Sequence, residues 1–220
     1  MSIDNSSVDL AAMLCSRLCH DMLSPVGAMS NGLELMATET DPDMRQNCVE
    51  LLEQSATIST NKLKFFRLAF GAAGGFGERV PVEEPKELID ALASDKPNIE
   101  INWALAENSM SKPAVKVMLN FAQIALDTLV RGGTLDVGAE IRDGATELVV
   151  RASGDKIAFD EVIGAALSGT LDKSELSSRT AAAHMLFLLA EQAGGGLQYA
   201  LTDEALVLGA VMPEPEGMIG

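Results

Sequence analysis

No run of 18 uninterrupted apolar residues occurs in this sequence, so no membrane span is expected. The segment Met1 to Asp9 lacks a basic stretch followed by an apolar one; no secretion signal is read there, and the expected location is the cytoplasm. Positive charge is scarce: 16 Lys and Arg stand against 32 Asp and Glu, a formal net charge of -16. Such a surface repels nucleic acid phosphates and anionic membranes, which leaves proteins as the expected partners. Cysteine is scarce too. Cys15, Cys19 and Cys48 are odd in number, which argues against a disulfide framework. Cys15 and Cys19, four apart and next to His20, raise the thought of a metal site. On a helix, however, His20 points about 100° away from Cys19, and no further ligand follows nearby. No metal is expected; small apolar residues in a helix packing face explain the pair. What the chain does have is a 47% hydrophobic content in 220 residues, enough for a real core.

From Val8 to Ala37 apolar residues recur at three- and four-residue steps: Leu10, Met13, Leu14, Leu18, then Met29, Leu33 and Met36. That period predicts a helix, bent where Pro25 removes a backbone hydrogen bond. Asp41-Pro42-Asp43 then reads as N-cap, first helical position and a charge suited to the helix dipole. A second helix to about Phe70 carries Val49, Leu52, Ala56, Ser59, Leu63, Phe66 and Phe70 in heptad spacing. The short connection predicts an antiparallel hairpin. Two helices cannot bury such a stripe alone, and the simplest cover is a second copy, giving a homodimeric four-helix bundle. Gly71 to Gly77 reads as a linker, dividing the chain into domains over residues 1–73 and 78–220.

The second part mixes periods. Helices are predicted at Glu84–Ala93, at Pro113–Val130 with Ser111 as cap, at Asp160–Leu167 and at Ser178–Gln192, the last stopped by Gly194 to Gly196. Ile99–Leu105 reads as a strand. Thr134–Ile141 and Thr146–Ala152 form a hairpin turned at Asp143-Gly144, and Leu197–Leu201 with Ala205–Val211 a second one turned at Asp203-Glu204. The fold class is therefore α+β, a helical hairpin followed by a two-layer α/β sandwich.

Only two histidines exist, His20 and His184. His184, among Ala181 to Phe187, is expected to be a core or cap residue. His20 lies in Arg17-Leu18-Cys19-His20-Asp21-Met22-Leu23-Ser24-Pro25. This resembles the phosphoacceptor box of histidine kinase dimerisation domains, in which an acidic residue follows the His and a Ser or Thr and a Pro come at the fourth and fifth places after it. A neutral imidazole nitrogen can attack phosphorus near neutral pH, and its other nitrogen is best held by an acidic neighbour, here Asp21. Arg17, one turn before His20, shares its face and suits phosphoryl oxygens. Ser24 and Gly27 are small and keep the face open for a docking protein. The candidate site is thus His20, Asp21, Arg17 and Ser24.

A hairpin followed by an α/β sandwich resembles a histidine kinase core, whose sandwich is an ATP-binding (Bergerat) domain. The nucleotide boxes are degenerate here. Ile124 stands where the magnesium-holding Asn belongs, and Asp127 where a Lys is usual. Ala152 replaces the adenine-binding Asp and Lys156 the second Gly of Asp-x-Gly-x-Gly; Ser177 to Ala182 contain no Gly for a phosphate loop. Without those groups nucleotide affinity is expected to be lost. Taken whole, the chain resembles the ChpT family of histidine phosphotransferases, most clearly from Leu14 to Asp21, at Ser24 to Gly27 and from Asn31 to Leu35. The resemblance implies a homodimer that binds no cofactor. It implies a relay in which phosphoryl arrives from the receiver domain of a CckA-like hybrid histidine kinase, with Mg2+ on that receiver. It leaves for CtrA-like and CpdR-like response regulators that control the bacterial cell cycle. Three other readings stay open on the sequence: an ATP-dependent histidine kinase, a non-catalytic dimeric interaction module, and a phosphatase acting on a receiver.

Overall fold

The computed structural model describes residues 5–71, 79–94, 96 and 98–214. The chain divides into two compact units, Met1–Arg67 and Leu68–Gly220. Most of the expected glycine linker lies outside the described residues.

In the first unit, helix α1 spans Asn5–Thr38 and runs unbroken through Pro25; α2 spans Pro42–Phe70. The turn between them is held from both sides. The Asp41 carboxylate accepts the Asp43 and Met44 amides at 2.8 and 3.2 Å, the N-cap expected from the sequence. Arg45 donates to the carbonyls of Met36 and Glu39 at 3.0 and 2.9 Å, closing off the end of α1. Small residues let the helices approach: a Cβ added at buried Gly32 would meet Leu52 at 3.2 Å. The heptad seam expected on α2 is only half buried. Ser59 and Phe66 are covered, whereas Ala56 is exposed and Leu63 is 51% exposed. The buried line is instead Cys48, Ser55, Ser59 and Phe66. Over most of its length the buried side of α2 carries small residues, and larger apolar residues such as Leu51 and Leu63 are left outside.

The second unit is an α/β sandwich. A five-stranded mixed sheet has the order β2-β4-β5-β7-β6, with β2 (Ile99–Leu105), β4 (Gly133–Arg142), β5 (Ala145–Ser153), β6 (Gly196–Leu201) and β7 (Ala205–Pro213). Only β2 and β4 are parallel. The helices are α3 (Glu83–Ser94), α4 (Lys112–Thr128), α5 (Glu161–Leu167) and α6 (Ala181–Gln192). Along β4 and β5 buried Leu135, Val137, Leu148 and Val150 alternate with Asp136, Glu140, Glu147 and Arg151, the pattern of a sheet covered on one face. Helix α4 is the centre of the core, with Val115, Met118, Leu119 and Phe121 fully buried. Each such side chain contributes about 1.5–3 kcal/mol of transfer free energy.

Local signals act as the chemistry requires. Asp143 (φ 51°) and Gly144 (φ 77°) both take the left-handed conformation of a two-residue hairpin turn. Gly194 (φ 69°) ends α6, with the Gly195 amide reaching back to the Ala190 carbonyl at 2.8 Å and Gly194 to Glu191 at 3.1 Å. Ser111 precedes α4 as expected, but its side chain makes no capping bond and its hydroxyl is buried without a partner. Pro113 sits at the second helical position and has no amide to offer it. Helix α6 starts at Ala181, not Ser178, because the Thr180 hydroxyl bonds back into the preceding turn at Glu175 and Ser177. A ribbon of β1 (Arg79–Pro81) with β3 (Ser109–Ser111) was not foreseen. Arg79 secures it, donating to Ser109 and pairing with Glu214, which also accepts from Thr146 beyond the end of β7.

Candidate functional site

Helix α1 presents His20 to solvent: its side chain is 87% exposed. One turn to either side, Ser16 and Ser24 are exposed, and a Cβ added at Gly27 would meet nothing within 4 Å. The face around the imidazole is therefore open, with small groups one turn to either side, which suits close approach of a second protein.

Asp21 turns away from that face and is 27% exposed. Its Oδ1 lies 3.5 Å from His20 Nδ1, at the outer limit of a hydrogen bond. Its Oδ2 lies 3.8 Å from Arg17 Nε, and the Arg17 side chain is only 19% exposed. Arg17, Asp21 and His20 thus form a row in which the carboxylate is the middle member. The guanidinium reaches the carboxylate, and its side chain is mostly covered. A carboxylate facing Nδ1 favours the tautomer with its proton there, leaving the lone pair on Nε2.

A fifth residue joins this group and was not foreseen. Pro25 has no amide, so the carbonyl of Asp21, four residues earlier, loses its helical partner. Lys62 of α2 donates its ammonium to that carbonyl at 3.0 Å. The signal was in the sequence. A proline inside a long helix demands a donor from outside it, and in an antiparallel hairpin Lys62 falls opposite Asp21. Reading the proline only as a bend missed the second half of its consequence.

His184 is unlike His20. It lies on α6 beside Phe187, ring centroids 6.4 Å apart and nearly parallel, and its Nδ1 is buried with no hydrogen-bond partner. Burial pushes its pKa down, because the charged ring loses hydration. The residue is half-buried at the edge of the core, in keeping with the core or cap place expected of it.

Several sandwich residues singled out in the sequence have structural roles. Ile124 and Ala152 are buried core residues. Asp127 forms an ion pair with Lys96 at 3.0 Å. Arg179 pairs with Asp160 at 2.9 Å. Gly154 is packed by backbone: a Cβ there would lie 2.9 Å from the Gly132 carbonyl oxygen. No helix among the described residues is long and apolar enough to cross a membrane.

Residues 82–205 match the family described as histidine phosphotransferase C-terminal domain. The protein phosphotransferase ChpT of Brucella abortus (strain 2308) is 33% identical over 206 residues, covering 93% of this chain and 96% of that one. A solved structure of a bacterial phosphotransferase superposes with a TM-score of 0.79 at 30% identity, over 92% of this chain and 96% of that one. The histidine kinase AdeS of Acinetobacter baumannii gives a TM-score of 0.48 at 12% identity, over 90% of this chain and 98% of that one.

Proposed function

The chain belongs to the histidine phosphotransferases of the ChpT type, and from that premise we propose that His20 is the residue that carries the phosphoryl group. The observation that carries this reading is the solvent-open imidazole of His20, 87% exposed between the small Ser16 and Ser24, with a carboxylate behind its Nδ1. His184, the other histidine, is half-buried, stacks on Phe187 and has its Nδ1 covered.

In the proposed reaction the Nε2 lone pair of His20 attacks the phosphorus of a receiver's aspartyl phosphate in line. The new N–P bond forms as the P–O bond to the aspartate breaks, and the receiver carboxylate leaves with the electron pair. The proton stays on Nδ1, where the Asp21 carboxylate offsets the positive charge that the ring acquires. Arg17 holds that carboxylate in place, and Ser24 leaves room for the receiver. Charge on the phosphoryl oxygens is met by the receiver's own Mg2+ and lysine. The reverse path delivers phosphoryl to the next receiver, so one docking surface serves both directions. The donor in this reading is the receiver domain of a CckA-like hybrid kinase and the acceptors are CtrA-like and CpdR-like response regulators. A role in cell-cycle control follows from those partners.

Two further parts belong to the proposal. The hairpin dimerises: Val8, Leu23, Val26 and Leu33 on α1 and Met44, Leu51 and Leu63 on α2 are all exposed large apolar residues, and a second hairpin covers them as a four-helix bundle. The sandwich takes no ATP, since Ile124 offers no metal ligand and Ala152 no adenine acceptor, and Asp127 pairs with Lys96 where a lysine would be usual. Incubation with labelled ATP alone tests this: no label on the protein is the expected result, and label on His20 would make it an autokinase.

A further inference from the structure

We propose that Lys62 is a positioning residue for phosphotransfer at His20, acting by replacing the backbone donor that Pro25 removes. The inference rests on the reading of His20 as phosphoacceptor and adds to it a residue on the other helix.

Pro25 is buried within α1, and α1 passes through it without a break. A proline ring both withdraws the amide that residue 21 would use and crowds the carbonyl of that residue. Left alone, the Asp21 carbonyl would turn out of the helix or draw water into the ladder, and the turn that begins beside His20 would loosen. The Lys62 ammonium stands 3.0 Å from that oxygen and supplies a charge-assisted bond in place of the amide. Asp21 is also the residue whose carboxylate approaches His20 Nδ1. Lys62 therefore fixes the backbone of the residue that orients the imidazole. Nothing about Lys62 requires it to touch phosphoryl or the incoming protein. Its effect passes through Asp21, and it is needed only because residue 25 is proline.

That dependence gives a test that a plain stability role cannot imitate. Single-turnover transfer from a receiver domain charged with acetyl phosphate is followed over a range of receiver concentrations. The variants are Lys62→Met, Lys62→Arg, Pro25→Ala and the Pro25→Ala/Lys62→Met double. Lys62→Met is expected to lower the saturating rate constant about tenfold, the scale seen for groups that orient a reacting ligand, while the half-saturating concentration holds. Lys62→Arg restores most of the rate, because it still donates. In the Pro25→Ala background an alanine amide satisfies Asp21, so adding Lys62→Met changes little. The His20 ring resonances of the unphosphorylated protein are read by NMR in the same set and should move with Lys62→Met only when Pro25 is present. An equal loss in both backgrounds, or a loss confined to half-saturation, would overturn the proposal. Wild-type protein that accepts no phosphoryl while its His20 resonances still respond to Lys62 would sink the functional reading and leave the positional link standing. Normal transfer with ring resonances indifferent to Lys62 would sink the link alone.

Discussion

Asp21 Oδ1 stands 3.5 Å from His20 Nδ1 while its other oxygen stands 3.8 Å from Arg17 Nε. One carboxylate thus links a partly covered guanidinium to an open imidazole. The arrangement predicts an order of effects. Asp21→Asn keeps the shape and an acceptor oxygen but removes the charge, and should slow phosphoryl transfer about ten- to a hundred-fold. Arg17→Ala leaves the Asp21 carboxylate in place and should cost less. Rates measured with one phosphorylated receiver check this. A larger loss at Arg17 than at Asp21 would mean that the guanidinium meets the phosphoryl group directly.

Gly32 sets how closely α1 and α2 pack. A Cβ at this position would lie 3.2 Å from Leu52 Cδ2 and 3.3 Å from its Cγ. The end of Leu52 is flexible and can give by a few tenths of an ångström, and alanine adds up to about 1 kcal/mol of helix propensity over glycine. Gly32→Ala should therefore be close to neutral. Gly32→Val cannot be absorbed so easily and should cost about 1–3 kcal/mol by overpacking. Urea unfolding of the two variants separates these outcomes.

How much of this could be read from the sequence depends on whether the signal is local. The Asp41 cap, the Asp143-Gly144 turn and the glycine stop after α6 are each set by a few neighbouring residues, and they form as expected. The residues around His20 follow one another along one helix, so their placement on α1 was legible too. What the sequence hid depends on partners far along the chain. Lys62 matters only when the hairpin brings it to Asp21. On α2 the residues covered within one hairpin also include Cys48 and Ser55, small side chains that carry little hydropathy signal, while Leu63 of the expected seam stays exposed for a second copy to cover. Strands β1 and β3 have three residues each, too few for alternation to show.

His184 gives the protein a pH dependence of known sign. Its folded pKa is lowered by burial, so the folded state favours the neutral ring. The unfolded chain takes up the proton at about pH 6.5 and the folded protein only lower. Stability should be full above that pH and fall as the pH drops below it. The lowered carboxyls of Glu39 and Asp172 titrate in a more acidic range and do not share this window. Urea midpoints at pH 7.5 and 5.5 are expected to differ less in His184→Gln than in the wild type. A pH difference unchanged by the substitution would contradict the assignment.

The central claim is tested most directly at His20 itself. A receiver domain carrying labelled phosphoryl is mixed with wild type and with His20→Ala, and the label on this protein is followed by gel autoradiography. The account predicts that wild type takes up label, that His20→Ala takes up none, and that His20→Ala unfolds in urea like the wild type because the ring is solvent-exposed. Label retained by a folded His20→Ala protein would place the phosphoryl group elsewhere and contradict the account.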